Sequence, residues 1–228
     1  MLLKFVLCFL FIVPFDFHGY SQKKFSVTVQ VPSEMDAKRF WISYDNGKGE
    51  ARVEKLSVKN NKIHITAPFY SAYAAIILSY PIKGSTNQLH TEIFFLKNIP
   101  ASITLCGSDS SLSPFYACKL KNVFTFENEK AVLFKYDSVE IQELNNYLST
   151  QETRTYDSVV IQVLNEKYKK MDEKHLEFIY KNHSSYYYFW FFRRDIVSSE
   201  VLSPDSLLYI FNTLFADSFK LSQEGHFI

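Results

Sequence analysis

Residues Phe25–Val31 read FSVTVQV, and this alternation decides the fold of the first half of the chain. Apolar residues at every second position are typical of a strand that buries one face. Seven more candidate strands follow: Arg39–Tyr44, Ala51–Val58, Lys62–Ala67, Tyr73–Tyr80, His90–Leu96, Ala101–Cys106 and Phe115–Leu120. Turn-forming residues separate them, as at Asp45–Gly47 and Asn60–Asn61. We therefore expect an antiparallel β-sandwich of about eight strands.

The hydrophobic period changes near Glu127, where apolar residues begin to recur at helical spacing. The helical stretches are Val132–Leu148, Tyr156–Tyr168, Asp172–Tyr180 and Ser184–Val197. A further helix is expected to begin with Ser203 as its N-cap and Pro204 at its first position. The fold class is therefore α+β, with an N-terminal sandwich domain at 22–125 and a C-terminal helical module at 126–228.

The first 21 residues have the pattern of a signal peptide. A short basic start precedes the apolar run Phe5–Phe15, and Gly19 and Ser21 place small residues before a cut at Gln22. An eleven-residue run rises only about 17 Å as a helix, too little for a hydrocarbon core of about 30 Å. We expect a periplasmic or secreted protein without a stable membrane span after signal removal.

Charge and composition exclude several classes of protein. The chain has 228 residues, of which 47% are hydrophobic and 21% charged, values that indicate a globular protein. Lys and Arg number 25 against 24 acidic residues, so the chain has no basic field for nucleic acid. We expect no nucleic-acid partner.

Signal removal would take away Cys8 and leave Cys106 and Cys118. An oxidising compartment would permit a disulfide between them. If their two strands form a hairpin, Cys106 faces roughly Phe115 and Cys118 lies three positions along, about 10 Å away. Bridged Cα atoms lie within about 7 Å, so a bulge or another register would be needed. The sequence leaves two alternatives open, a disulfide between Cys106 and Cys118 or two unpaired cysteines.

The segment Tyr186–Phe192 reads YYYFWFF, seven consecutive aromatic residues that cover every face of a helix. One interpretation is a central helix buried among its neighbours. The other is an aromatic surface that contacts a sugar, a peptide or a partner domain. The candidate interface residues are Tyr186, Tyr187, Tyr188, Trp190 and Phe191.

Motifs that carry catalytic chemistry are missing from the sequence. It contains no HExxH, no CxxC, no nucleophile elbow with a triad and no glycine-rich phosphate loop. We therefore assign no catalytic, cofactor-binding or metal-binding residue, expect no cofactor, and do not expect an enzyme.

Four segments resemble a known family: LSVKNNKIHITAP at 56–68, IFFLKNIPASITL at 93–105, FIYKNHSSYYYFWFFRRDI at 178–196 and SFKLSQEGHFI at 218–228. They are similar to the uncharacterised N-terminal domain that precedes thioredoxin-like domains in secreted bacterial thiol–disulfide oxidoreductases of the AhpC/TSA and TlpA/ResA kind. Asn61 stands where that family usually has glycine, and His183 stands in place of an expected proline.

In that family the redox chemistry belongs to the following domain, which carries a CxxC pair, so no redox residue is transferred to this chain. The resemblance implies a non-catalytic accessory or interaction module, with a thioredoxin-like domain on another chain as the candidate partner. One alternative is a truncated or partner-dependent thiol–disulfide oxidoreductase. Another is a module that binds a small ligand or carbohydrate through an aromatic surface.

Overall fold

The structure is a computed structural model that describes residues 22–81, 89–107, 119–150, 158–199 and 202–228. The strands are β1 (Lys23–Gln30), β2 (Trp41–Asp45), β3 (Glu50–Arg52), β4 (Ser57–Lys59), β5 (Lys62–Phe69), β6 (Ala74–Pro81), β7 (Leu89–Leu96), β8 (Pro100–Thr104), β9 (Lys119–Lys121) and β10 (Val123–Phe124). The helices are α1 (Glu127–Thr150), α2 (Ser158–Asn182), α3 (Tyr186–Phe191), α4 (Pro204–Leu214) and α5 (Asp217–Lys220). A π-helical turn, Phe192–Ile196, continues α3.

The strands form two sheets in a sandwich-like arrangement. The first sheet has the order β4-β5-β1-β8-β9, and the second has the order β10-β7-β6-β2-β3. Most neighbouring strands are antiparallel, but β1 and β8 run parallel, with Val27 opposite Ala101. The expectation of a purely antiparallel sandwich is wrong at this pair, because the chain passes through β6 and β7 of the second sheet before β8 returns beside β1.

The first core lies between the two sheets. The alternation in FSVTVQV is confirmed, because Phe25, Val27 and Val29 point inward and are almost completely buried. Facing strands add further apolar side chains, among them Ile63, Ile65, Ile76, Leu78, Phe94 and Leu96.

Two details of the predicted strands differ in the structure. The single strand expected at Ala51–Val58 is divided into β3 and β4, which belong to different sheets. The connection crosses between the sheets with Val53 and Leu56 packed against the first core. The predicted Asn60–Asn61 turn is confirmed: both residues have φ above +50°, and they join β4 to β5.

The helices pack on the outer face of the second sheet and make a second core with it. Ala75 of β6 and Phe95 of β7 point away from the first core and contact the helical layer. Phe178, Phe189, Phe192, Ile196, Phe211 and Phe215 are among the buried residues that complete this core. In the described ranges, no helix combines the length and apolar character needed to cross a membrane.

The helix boundaries also refine the sequence prediction. The stretches Tyr156–Tyr168 and Asp172–Tyr180 were expected as separate helices, but a single helix, α2, runs from Ser158 to Asn182. No glycine or proline interrupts that segment. The predicted start of α4 is confirmed, because the backbone N–H of Ser206 donates to Ser203 Oγ at 3.2 Å.

Replacement of Phe189 by alanine tests the second core. Phe189 is 0% exposed, stacks on Phe219 at 4.9 Å between ring centroids and contacts Phe215. We expect Phe189→Ala to lower the free energy of unfolding by about 3–5 kcal/mol in urea denaturation, because it leaves a cavity. Phe134 on α1 is 68% exposed, so Phe134→Ala is a matched control that should cost under about 0.5 kcal/mol. Similar losses for the two variants would contradict the second core.

Candidate functional site

The outer face of the second sheet has a half that the helices cover and a half that is open, and strand β2 runs through both. Trp41, Ser43 and Asp45 alternate with Ile42 and Tyr44, which face the first core. Asp45 pairs with Ala75, beneath the helices, whereas Trp41 pairs with Ser79 at the other end of the strand. The candidate site therefore has a buried part around Asp45 and an exposed part around Trp41.

The buried part is a cluster of Asp45, Arg193, Glu224, Tyr186 and Trp190, here called the buried ionic cluster. Trp190 Nε1 donates to Asp45 Oδ2 at 3.0 Å, and Arg193 Nη2 forms a salt bridge with the same oxygen. The backbone N–H of Gly47 donates to Asp45 Oδ1 at 2.9 Å. Asp45 therefore ties the end of β2 to α3 and the π-helical turn.

Glu224 brings the C-terminal segment into the same cluster. The Tyr186 hydroxyl donates to Glu224 Oε1 at 2.7 Å, and the backbone N–H of Ala72 donates to Oε2 at 3.4 Å. Arg193 Nη2 lies 3.8 Å from Glu224 Oε1, so its guanidinium contacts both carboxyl groups. Asp45 is 4% exposed, Glu224 is 1% exposed and the Arg193 side chain is 9% exposed. The cluster is closed to solvent.

Burial raises the pKa of the Glu224 carboxyl from an ordinary value of 4.5 to about 7. The hydrogen bond from Tyr186 and the charge of Arg193 act in the opposite direction, and Asp45 raises this pKa further. Burial, followed by the charge of Glu224, also raises the pKa of Tyr186 well above its usual range. These ionisable groups are held inside the protein, where they join three segments of the chain.

Gly47 gives the cluster its close packing. Its φ is +89°, a conformation that side-chain-bearing residues rarely adopt. A Cβ atom at this position would lie 2.9 Å from Ser71 Cβ and 3.0 Å from Glu224 Cγ. The sequence predicted a turn at Asp45–Gly47, but no local signal connected that turn with Glu224.

The exposed part is a groove of about 460 Å³, here called the Trp41 groove. Its lining residues are Trp41, Ile42, Ser43, Glu50, Arg52, Ile77, Ser79 and Arg194. Trp41 is 55% exposed, and the Arg52 guanidinium lies over its ring at 5.1 Å. The Ser43 hydroxyl donates to Glu50 Oε1 at 2.5 Å. The groove thus offers an aromatic ring beside charged and hydroxyl groups.

The π-helical turn connects the two parts of the site. Its consecutive residues Arg193 and Arg194 reach the buried ionic cluster and the Trp41 groove, respectively. The Arg194 guanidinium also lies over the ring of buried Trp190 at 5.1 Å. Such wide helical turns occur frequently at functional sites. The buried ionic cluster therefore fixes the position of one wall of the groove.

The five aromatic residues singled out from the sequence do not line the Trp41 groove, although Tyr186 and Trp190 belong to the buried ionic cluster. Tyr186, Tyr187, Tyr188, Trp190 and Phe191 are only 2–8% exposed, and their rings pack within the second core. Phe95, for example, contacts Trp190 edge to face at 5.1 Å between centroids. The exposed tryptophan is Trp41, which the sequence analysis did not single out because it lies in an ordinary strand pattern.

The described residues include Cys106 and do not include Cys118. Cys106 follows β8, is partly exposed and places its Sγ 3.8 Å from the Thr104 carbonyl oxygen. Cys118 lies outside the described residues, so their disulfide stays a prediction. Among the residues that the structure describes, no group of three or more His, Cys, Asp or Glu side chains could hold a metal ion.

Comparison with protein-family models, with curated proteins and with solved structures gave no match. The resemblance to the domain that precedes thioredoxin-like oxidoreductases therefore remains a proposal.

The pKa of Glu224 predicts how stability depends on pH. A folded-state pKa near 7 means that the folded protein binds one more proton than the unfolded chain between about pH 4.5 and 7. This contribution is therefore present below pH 4.5 and is lost as the pH rises through 7, at a cost of about 3 kcal/mol. In urea denaturation from pH 5 to 8, Glu224→Gln should remove that decline.

The matched control is Glu177→Gln on α2, where the carboxyl group is exposed and its pKa is lowered by Lys181. This control should keep the decline of the wild-type protein between pH 5 and 7. An unchanged decline in Glu224→Gln would show that Glu224 does not titrate in this range.

Proposed function

We propose that the chain is an exported, non-catalytic accessory module that acts by binding, with the Trp41 groove as its contact surface. The observation that carries this proposal is the exposure of Trp41 on the same sheet face whose other half is buried by helices. An exposed aromatic ring that stands beside polar groups in a concave surface is typical of a recognition site.

The distribution of ionisable groups favours binding over catalysis. Asp45, Arg193 and Glu224 are buried and bonded to each other or to Tyr186 and Trp190, so a substrate would not reach them. In the open groove, Glu50 accepts a hydrogen bond from Ser43. The groove residues Glu50 and Ser43 serve to position and contact a ligand. This arrangement supports a role without bond-making chemistry.

The groove is built on paired strands. Its floor crosses β3, β2 and β6. Strand β2 pairs with β6 along its whole length and with β3 from Ser43 to Asp45. Sites built on paired strands position their side chains more precisely than sites built on loops. This property supports recognition by a preformed surface.

Export rests on the signal-peptide pattern of residues 1–21. Within a periplasmic or secreted setting, the resemblance to thioredoxin-associated domains suggests a protein partner as the second candidate. The supporting feature is the hairpin of α1 and α2, where a salt bridge of 3.2 Å joins Lys167 to Glu143. Each helix is about 36 Å long, and their exposed apolar side chains include Phe134, Val139, Ile161 and Tyr168.

Alanine at position 41 tests the main proposal. The purified chain would be titrated with neutral and acidic oligosaccharides, acidic peptides and aromatic carboxylates, with thermal denaturation as the readout. We expect at least one class to raise the melting temperature, by an amount that corresponds to about 2.7 kcal/mol at 100-fold excess over Kd. Trp41→Ala should abolish this shift, because the substitution removes the ring from the groove.

Tyr209→Ala, at a 67% exposed tyrosine of α4 that does not line the groove, controls for the loss of an aromatic ring. A ligand that stabilises Trp41→Ala as much as the wild-type protein would contradict the groove as the contact surface. The absence of stabilisation by every class would contradict the proposed function itself.

Phe134→Ser tests the second candidate. If the α1–α2 hairpin binds a thioredoxin-like domain on another chain, immobilised domain of that kind should bind the wild-type protein at least tenfold more tightly than this variant, because the substitution removes apolar contact area. Trp41→Ala should bind that domain normally. Absent binding, or equal binding by wild type and Phe134→Ser, would exclude this use of the hairpin.

A further inference from the structure

We infer that the Trp41 groove binds an acidic sugar, specifically a hexuronic acid unit of a carbohydrate chain. This inference rests on the proposed function and names the ligand class of the same groove. It follows from the dimensions of the groove, the backbone hydrogen bonds of its floor and the charges of its lining side chains.

The dimensions suit a sugar ring. The floor crosses β3, β2 and β6, and two spacings between neighbouring strands amount to about 10 Å. The volume of about 460 Å³ falls within the range of small-ligand sites, about 300–1,000 Å³. Trp41 stands at one end, and the part of its ring not covered by Arg52 is open to the apolar C–H face of a pyranose.

The backbone of β2, at the centre of the floor, is already paired on both sides. Strand β2 is bonded to β6 along its length and to β3 from Ser43 to Asp45. The backbone N–H of Val53 donates to the Ile42 carbonyl oxygen at 2.9 Å and extends this pairing. Peptides that bind sheets use free backbone groups at an edge. The free edge of this sheet is β3, at the side of the groove, so a ligand that lies over β2 must bond to side chains, as a polyhydroxylated ligand can.

The charged side chains favour a carboxylate on that sugar. Arg52 and Arg194 both line the groove, whereas Glu50 is its single acidic lining residue. Within the part of the chain that the structure describes, neither arginine forms a salt bridge, although the charge of Arg194 also acts on the neighbouring Asp195 carboxyl group. Each guanidinium lies over an indole ring. Arginine presents a planar fork of donors that matches a carboxylate.

The hydroxyl-bonding groups complete the site. The side chains of Ser43 and Ser79 lie on the floor, and the Ser79 hydroxyl is within 3.0 Å of the Thr91 hydroxyl. The Glu50 carboxylate has several acceptor positions, so it can accept a hydrogen bond from a sugar hydroxyl as well as the bond that it accepts from Ser43. The groove therefore offers an aromatic ring, two cations and several hydroxyl partners to one ligand.

The experiment uses the full mature chain and tetragalacturonate as the probe, with maltotetraose and tetraglutamate as comparison ligands. The protein has two tryptophans, and Trp41 is the exposed one while Trp190 is buried. Acrylamide quenching of tryptophan fluorescence therefore reports mainly on the groove. We expect tetragalacturonate to protect Trp41 from quenching, and maltotetraose and tetraglutamate to leave it quenched.

Arg52→Gln and Arg194→Gln should each weaken tetragalacturonate binding at least tenfold, and added salt should weaken it further. Arg52→Lys, which keeps the charge but loses the fork, should give an intermediate loss. Lys181→Gln on α2 removes an equal charge at a residue that does not line the groove, and this variant should bind like the wild-type protein. Circular dichroism would show that each variant is folded.

Three outcomes would overturn the inference, and they differ in what they imply. If tetraglutamate or maltotetraose protects Trp41 and tetragalacturonate does not, the ligand class is wrong and the groove remains a binding site. If tetragalacturonate binds all variants equally, both the ligand class and the groove are wrong. If none of the three probes binds, the acidic-sugar site is refuted, and the wider ligand series decides the proposed function separately.

Discussion

Arg193 lies between the carboxyl groups of Asp45 and Glu224, and the arrangement of the helices on the sheet depends on this contact. It joins the end of β2, the π-helical turn and the C-terminal segment at one buried point. Removing one partner would leave a buried charge uncompensated, which typically costs about 3–5 kcal/mol. Burial favours the protonated, uncharged form of Glu224. The cluster therefore buries fewer charges than it would if Asp45, Arg193 and Glu224 were all ionised.

The same contact explains why one sheet face has two different halves. The helices cover Ala75 and Phe95, and Trp190 is fixed there by its hydrogen bond to Asp45. At the other end of β2 the helices no longer cover the sheet, and Trp41 is open to solvent. Arg194, adjacent to Arg193, forms a wall where the cover ends. In the proposed function, the buried half is the support and the open half is the recognition surface.

Much of the fold follows from local sequence patterns, but the site does not. The alternation at Phe25–Val31 and the cap at Ser203 are local signals, and both are confirmed. The parallel pairing of β1 with β8 depends on the path of the chain through the second sheet, which no local pattern records. Likewise, Trp190 and Asp45 are 145 residues apart. The seven aromatic residues of Tyr186–Phe192 are compatible with burial and with exposure when their sequence is taken alone, and the structure buries them.

Hydrogen exchange at the two indole N–H groups is the most direct test of this account, and ¹⁵N-labelled protein would report both signals in one NMR experiment. The Trp190 indole is buried and donates to Asp45, so its exchange should be slowed by at least about a thousandfold, as for a group that opens only with the core. The exposed Trp41 indole should exchange at close to the rate of a free peptide. Protection of both indoles would show that the groove is covered, and rapid exchange of both would show that the buried ionic cluster does not hold the helices on the sheet.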